Sequence, residues 1–345
     1  MKDGSKTERS GIEGSGTERS KTEPSRTGEL SFTGHFTFFK ARLVDLTSQA
    51  LAVEAAAVES AAVRAAEVDT AASAGADGGA GADTNAGSAA ARAFDVGLMG
   101  LPYDFAVGFR AGARWGPAAM RQASGRYAPP AAGFYDLTSG RRRLSGVRLA
   151  DLGDVDPAQL ETEATFARVT EAARLARRVA TLPVFIGGDH SLTYPLLRAY
   201  DDERDLHVLQ FDAHLDFSDA RNGTRFSNSS PFRRASTDLP GLTGLTVIGL
   251  RGVRFDEEAV EAARARGHAL VTAEAVHESL TAVRSSLPAG RRLYVSLDVY
   301  ALDPSEVPGT FSIRLGRPTR GQSSSACLRL PWVSWALVGS SSRLT

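Results

Sequence analysis

Cysteine is nearly absent from this chain: Cys327 is the only one among 345 residues. A single thiol excludes an intrachain disulfide and a four-cysteine zinc site. It also points to a reducing compartment, so a cytoplasmic location is the expectation. Net charge is absent as well. Forty Lys and Arg stand against forty Asp and Glu, so no bulk positive field draws the chain to nucleic acid. No uninterrupted run of about 18 apolar residues is available to span a membrane. The first residues lack the apolar stretch of a secretory signal. A hydrophobic share of 42% is that of a globular protein, and the length fits two domains or one large α/β domain.

The first 92 residues read as a low-complexity extension. Residues 1–34 are polar, and GSKTERS (4–10) returns as GSGTERS (14–20). Such a segment buries too little apolar surface to offset its ordering entropy, so disorder is expected there. Phe36, Phe38, Phe39, Leu43, Val44 and Leu46 offer enough apolar surface to dock weakly on a core. Ala-rich residues 50–69 favour a helix, and residues 71–89 have linker composition. The compact domain is expected to start near Ala93.

From there short apolar runs alternate with amphipathic stretches. Strands are expected at 94–104, 146–155, 182–190, 205–214, 245–252 and 291–300. Phe166, Val169, Ala173, Ala176 and Val179 mark a helix within 158–180 by their spacing of three or four. The alternation predicts an α/β fold, a parallel sheet with helices on both faces. From Phe311 the pattern breaks. No Asp or Glu follows Glu306, five Arg do, and seven of the last 25 residues are Ser. The apolar piece 330–338 has no clear period. Residues 311–345 are therefore expected to be an atypical tail, from a truncated or frameshifted reading frame.

Three predicted strand ends carry the chemistry: GGDHS (187–191), FDAHLDF (211–217) and SLDVY (296–300). Ligands of open α/β sheets sit outside the carboxyl ends of the strands. Asp212, His214 and Asp216 are spaced i, i+2, i+4, which in extended backbone places them on one side. Without a cation they would repel or stay unpaired. His190 and Asp298 arrive from the other two ends. Carboxylates with imidazoles and no thiols suit Mn²⁺, Fe²⁺ or Zn²⁺ rather than Ca²⁺. Asp189 is expected to orient His190 or cap the helix that follows.

These three strings, in this order, resemble the signatures of the arginase/agmatinase family of ureohydrolases; the third extends through SLDVYALDPSEVPGT (296–310). GLPYD (100–104), FRAGARWGPAAMRQAS (109–124) and DLGDV (151–155) add to the likeness, which covers roughly residues 94–310 and implies a ureohydrolase domain at 93–310. The loop 222–235 and the string IGLRG (248–252) are closest to agmatinase-like members. The resemblance implies a three-layer, mostly parallel open sheet, assembly as a homo-oligomer (trimer or hexamer), and hydrolysis of a small guanidino compound, agmatine first, to urea and an amine. It implies two Mn²⁺ ions. His190, Asp212, Asp216 and Asp298 would hold the first; His214 would hold the second, with Asp212 and Asp298 bridging. Asp216 and Asn228 are the residues it places in catalysis.

The chain departs from that pattern at three points. The second carboxylate of the third signature is replaced by Tyr300, a poor Mn²⁺ ligand, so the second ion is expected to bind weakly or not at all. Asn228 stands where the family has a His and cannot shuttle protons near pH 7. The tail after Thr310 lacks the acidic residue that meets the guanidinium. Two alternatives to an impaired agmatinase-like enzyme follow: an inactive metal-binding or oligomerising relative, and a single-metal amidohydrolase or deacetylase of the same fold.

Overall fold

Short apolar runs become strands and the amphipathic stretches between them become helices, in a computed structural model that describes residues 37–45, 92–108, 110–158, 160–279, 285–288, 290–302 and 335–339. The expected disorder at 1–34, the helix at 50–69, the linker at 71–89 and most of the 311–345 tail lie outside the described residues.

The strands are β1 (Arg42–Leu43), β2 (Phe94–Leu101), β3 (Phe134–Asp136), β4 (Arg141–Arg143), β5 (Leu149–Asp154), β6 (Ala180–Gly187), β7 (Leu206–Phe211), β8 (Leu242–Leu250), β9 (Ala269–Thr272), β10 (Arg292–Leu297) and β11 (Trp335–Gly339). The α-helices are α1 (Gly116–Ser124), α2 (Thr162–Val179), α3 (Thr193–Arg198), α4 (Pro231–Asp238), α5 (Glu257–Ala265) and α6 (Ala273–Glu278). β3 and β4 form a separate exposed hairpin, and β4 consists of Arg141, Arg142 and Arg143. The other nine strands make one sheet in the order β1-β5-β2-β6-β11-β10-β7-β8-β9. Every pairing in it is parallel except those of β11.

Alternation along β6 builds the two cores. Val184 and Ile186 point to one face, where they meet Leu98, Met120 of α1 and Phe38. Phe185 points to the other, joining Phe166, Val169 and Ala173 of α2, Leu196 and Leu197 of α3, Phe232 of α4 and Ala259 of α5. Helices thus cover both faces in three layers, as expected. Glu163 in the first turn of α2, and Arg177 and Arg178 in its last, complement the helix dipole. No helix among the described residues is long and apolar enough to cross a membrane.

Two segments outside the expected compact domain join it. Phe38 is wholly buried. Its N–H donates to Asp151 Oδ2 (2.8 Å), and the Arg121 guanidinium lies 4.2 Å from its ring centroid. β1 then pairs with β5 as an edge strand. This docking is stronger than six scattered apolar residues suggested, because the buried Asp151 supplies a fixed acceptor. Phe38→Ala is expected to cost about 3–4 kcal/mol in urea denaturation. A loss below about 1 kcal/mol would show that the segment adds nothing. The second segment is β11. It enters the middle of the sheet antiparallel to both neighbours, with Leu337 opposite Val184 and Val295. The gap beside β10 is thereby closed from within a tail that had no strand signature.

Two histidines away from the strand-end strings are packed into the fold, His207 buried and His268 half-buried. Thr246 Oγ1 donates its one proton to Ser286 O (2.9 Å), so the His207 Nε2 contact at 2.9 Å must be His207 donating. His268 Nε2 meets Ser236 Oγ at 3.2 Å. Burial first, then a nearby arginine (Arg291 for His207, Arg266 for His268), pushes each imidazole down to about 4 from its usual 6.5. Between those values the unfolded chain takes up protons that the fold refuses. The stability is therefore present above about pH 6.5 and is lost as pH falls toward about 4. The thermal midpoint is expected to drop over that window, and a His207→Gln/His268→Gln double variant should flatten the drop. An equally steep drop in the variant would place its cause elsewhere.

Candidate metal centre

The chain builds β2, β5 and β6 on one side of the sheet, then crosses to β7, β8 and β9 on the other. The crevice of an open α/β sheet forms at such a reversal. β6, β7 and β10 all end there, and each is followed by one of the three strings.

Each strand end turns by the same device, an aspartate whose carboxylate accepts the N–H two residues on. Asp189 Oδ1 accepts from Ser191 N (2.9 Å), Asp212 Oδ1 from His214 N (2.8 Å), and Asp298 Oδ1 from Tyr300 N (2.8 Å). One oxygen closes the turn and the other is left for a partner. For Asp189 that partner is Ala106 N (3.0 Å). Asp189 thus caps the turn that begins at His190, one of the two roles expected of it. The loop is also pinned from behind: Gly188 N donates to Leu101 O (2.9 Å) and Asp189 N to Tyr103 O (2.8 Å). A side chain at Gly188 would collide with the Tyr103 carbonyl, which accounts for the glycine.

The remaining oxygens of Asp212 and Asp298 converge on His190. Its Nδ1 lies 3.3 Å from Asp212 Oδ2, 3.3 Å from Asp298 Oδ2 and 2.8 Å from Asp216 Oδ2. Ser296 Oγ holds the other ring nitrogen at 2.9 Å, and Phe232 packs edge-on against the imidazole. His214 Nδ1 sits 3.2 Å from Asp212 Oδ1. The structure therefore brings together His190, Asp212, His214, Asp216 and Asp298. The route differs from the one the spacing implied. β7 ends at Phe211, so residues 212–216 are not extended. They bend, and Asp216 takes a left-handed conformation (φ 49°), which Asp tolerates better than most residues. Asn228 is in the following loop, its N–H on Ala106 O (3.3 Å), with no hydrogen bond to the cluster among the described residues.

One imidazole among three carboxylates, Asp212 and Asp298 buried and Asp216 partly buried, is an unbalanced charge set. Burial opposes a charged His190, but Asp212, Asp216 and Asp298 outweigh it and hold its pKa well above the usual value. Burial and then the Asp212 charge push Asp298 up to about 7 and also raise Asp216. Asp212 is held low: burial opposes its charge, but His190 and His214 outweigh it. One proton on His190 satisfies one oxygen, while three face the same nitrogen. Donor atoms of His190, Asp212 and Asp298 all lie within 4.8 Å of one another. This oxygen-rich set with imidazole nitrogen fits a divalent transition-metal ion.

Sequence reasoning missed the residues behind the cluster. Gln210, fully buried, donates to Asp212 Oδ2 (2.9 Å) and His214 O (3.3 Å). Its position on β7, one inward-facing step before Asp212, was the available signal. Ser296 lies two residues before Asp298 on β10 in the same relation. Tyr300 sets its ring 5.2 Å from that of His214, edge to face.

The family model described as Arginase family matches residues 94–324. Guanidinopropionase of Pseudomonas aeruginosa is 34% identical over 67% of this chain and 73% of its own length. Agmatinase of Bacillus subtilis is 30% identical over 64% of this chain and 73% of its own. Among solved structures, proclavaminate amidino hydrolase from Streptomyces clavuligerus superposes with a TM-score of 0.60, at 24% identity, covering 85% of this chain and 81% of that one. Formiminoglutamase of Trypanosoma cruzi, solved with Mn²⁺, has a TM-score of 0.55 at 24% identity over 63% and 73%. These two structural likenesses speak for the fold.

Proposed function

This chain belongs to the arginase family, and from that premise we propose that it hydrolyses a small linear guanidino compound, agmatine first, to urea and an amine. The observation that carries the reading is the meeting of one imidazole and three carboxylates at the ends of β6, β7 and β10. Mn²⁺ is the metal we assign, in keeping with the donor set and with the Mn²⁺ of the formiminoglutamase structure.

His190, Asp212, Asp216 and Asp298 would hold one ion. Its charge would polarise the guanidinium carbon and make water a competent nucleophile near neutral pH. The chain's own residues do the rest. Ser296 turns His190 so that Nδ1 faces the carboxylates, and Gln210 fixes Asp212. To His214, beside Asp212, we assign the passage of a proton toward the leaving amine. Asp216 offers a carboxylate of raised proton affinity, and Asn228 can only donate or accept a hydrogen bond to substrate. A second ion is not matched in the same way, because Tyr300 puts a phenol ring against His214 where a carboxylate is required. We assign one ion per chain and slow turnover.

A guanidino acid is the second reading, favoured by charge. The loops 105–112 and 218–230 meet through Asn228 N and Ala106 O. Together they carry Arg110, Arg221 and Arg225 against one acid, Asp219, which suits a carboxylate tail better than an ammonium one. Urea release with added Mn²⁺ from agmatine, guanidinobutyrate and guanidinopropionate tests both. Preference for agmatine supports the first reading and preference for a guanidino acid the second. No urea from any, with Mn²⁺ bound, would overturn both in favour of an inactive metal-binding relative.

A further inference from the structure

We propose that Arg251 is a positioning residue that sets the spacing between the ligand loops after β7 and β10; this rests on the metal reading above. Arg251 follows β8 directly and grips both loops. Its backbone N–H donates to Ala213 O (3.2 Å), inside the Asp212–Asp216 loop. Its guanidinium donates through Nη2 to Tyr300 O (2.5 Å) and Leu302 O (2.8 Å), and through Nη1 to Ala301 O (3.4 Å) and Gly249 O (3.3 Å).

The carbonyls of Tyr300 and Ala301 belong to the single turn of 3₁₀ helix that Asp298 caps, and that of Leu302 to the residue that ends it. A turn this short leaves its carbonyls without internal partners. The planar fork of arginine, with five donors, can gather several carbonyls at once; the single ammonium of lysine cannot fill the same geometry. β8 closes on the other loop as well, since Asp212 N donates to Ile248 O (3.0 Å). Gly249 (φ 104°) lets its backbone approach the Asp212 carbonyl, 3.2 Å from where a side-chain carbon would start. Shifting the guanidinium would therefore tilt the Asp298 turn relative to Asp212, and the two carboxylates that face His190 would separate.

The test compares the full-length chain with Arg251→Ala, Arg251→Lys and, as control, Arg121→Ala, whose guanidinium ties Asp151 and Asp154 on β5. Two quantities are read: amide hydrogen exchange of the metal-free protein, and Mn²⁺ affinity by equilibrium dialysis. Arg251→Ala is expected to speed exchange at 298–302 and to weaken Mn²⁺ binding by about 10–100-fold, as loss of a supporting contact does. Arg251→Lys should fall between, and it carries the test if the alanine variant does not fold. Arg121→Ala is expected to melt earlier yet match the wild type in both readouts. Unchanged exchange and affinity in both Arg251 variants, or an equal loss in Arg121→Ala, would overturn the assignment. A wild-type chain that binds no Mn²⁺ would overturn the metal reading, and the exchange data would then decide the clamp alone.

Discussion

Replacing Asp212 with asparagine is expected to strip Mn²⁺ from the chain and to cut urea release by about 10³-fold or more, equivalent to about 4 kcal/mol of barrier. Asp212 is tied to three neighbours at once, His190, Gln210 and His214. It is fully buried, closes the turn onto His214 N, accepts from Gln210 Nε2, and lies 3.3 Å from His190 Nδ1. Asparagine keeps the oxygen that closes the turn, so the fold should survive. Its amide, however, would bring N–H groups toward the Gln210 donor, and the charge would be gone. An ion that binds the native state raises stability by RT ln(1 + [L]/Kd), about 2.7 kcal/mol at 100 Kd. The Mn²⁺-dependent rise in melting temperature should therefore vanish in Asp212→Asn while the metal-free midpoint stays close to that of the wild type. Wild-type Mn²⁺ affinity in the variant would remove Asp212 from the centre.

Tyr300→Asp is expected to act in the opposite direction, admitting a second ion per chain and raising turnover by about 10–100-fold. The native phenol ring lies against His214 while the Tyr300 N–H is committed to Asp298 Oδ1. Aspartate leaves that backbone contact in place, removes the ring and adds an anionic donor beside an imidazole. Without metal, a further carboxylate near Asp212, Asp216 and Asp298 is repelled, so the metal-free variant should melt earlier than the wild type. Added Mn²⁺ should more than restore it. Elemental analysis gives the count directly. One ion per chain with wild-type turnover would show that Tyr300 is not what limits the site.

The signature residues were legible because each follows a buried apolar run. A charged group at a strand end is costly unless it binds something. α2 was legible because its apolar residues recur every three or four positions over 18 residues. The turn geometry was not. Asp212, His214 and Asp216 meet His190 through a bend and a left-handed Asp216, and that bend depends on hydrogen bonds to β8 and Gln210. The same holds for Ser296 and Arg251, whose partners lie 106 and about 50 residues away in the chain.

The sequence by itself determined the class of fold, the family and the five side chains that meet at the strand ends, since periodicity and residue type are local properties that burial and charge act on directly. The tertiary structure alone decided how those side chains are aimed, that Phe38 and β1 close one edge of the sheet, and that Trp335–Gly339 fills its centre. β6 and β10 each present a row of backbone N–H and C=O groups to the same gap, and buried groups of that kind must be paired. That demand comes from two strands remote in sequence, so no pattern within the tail could announce it.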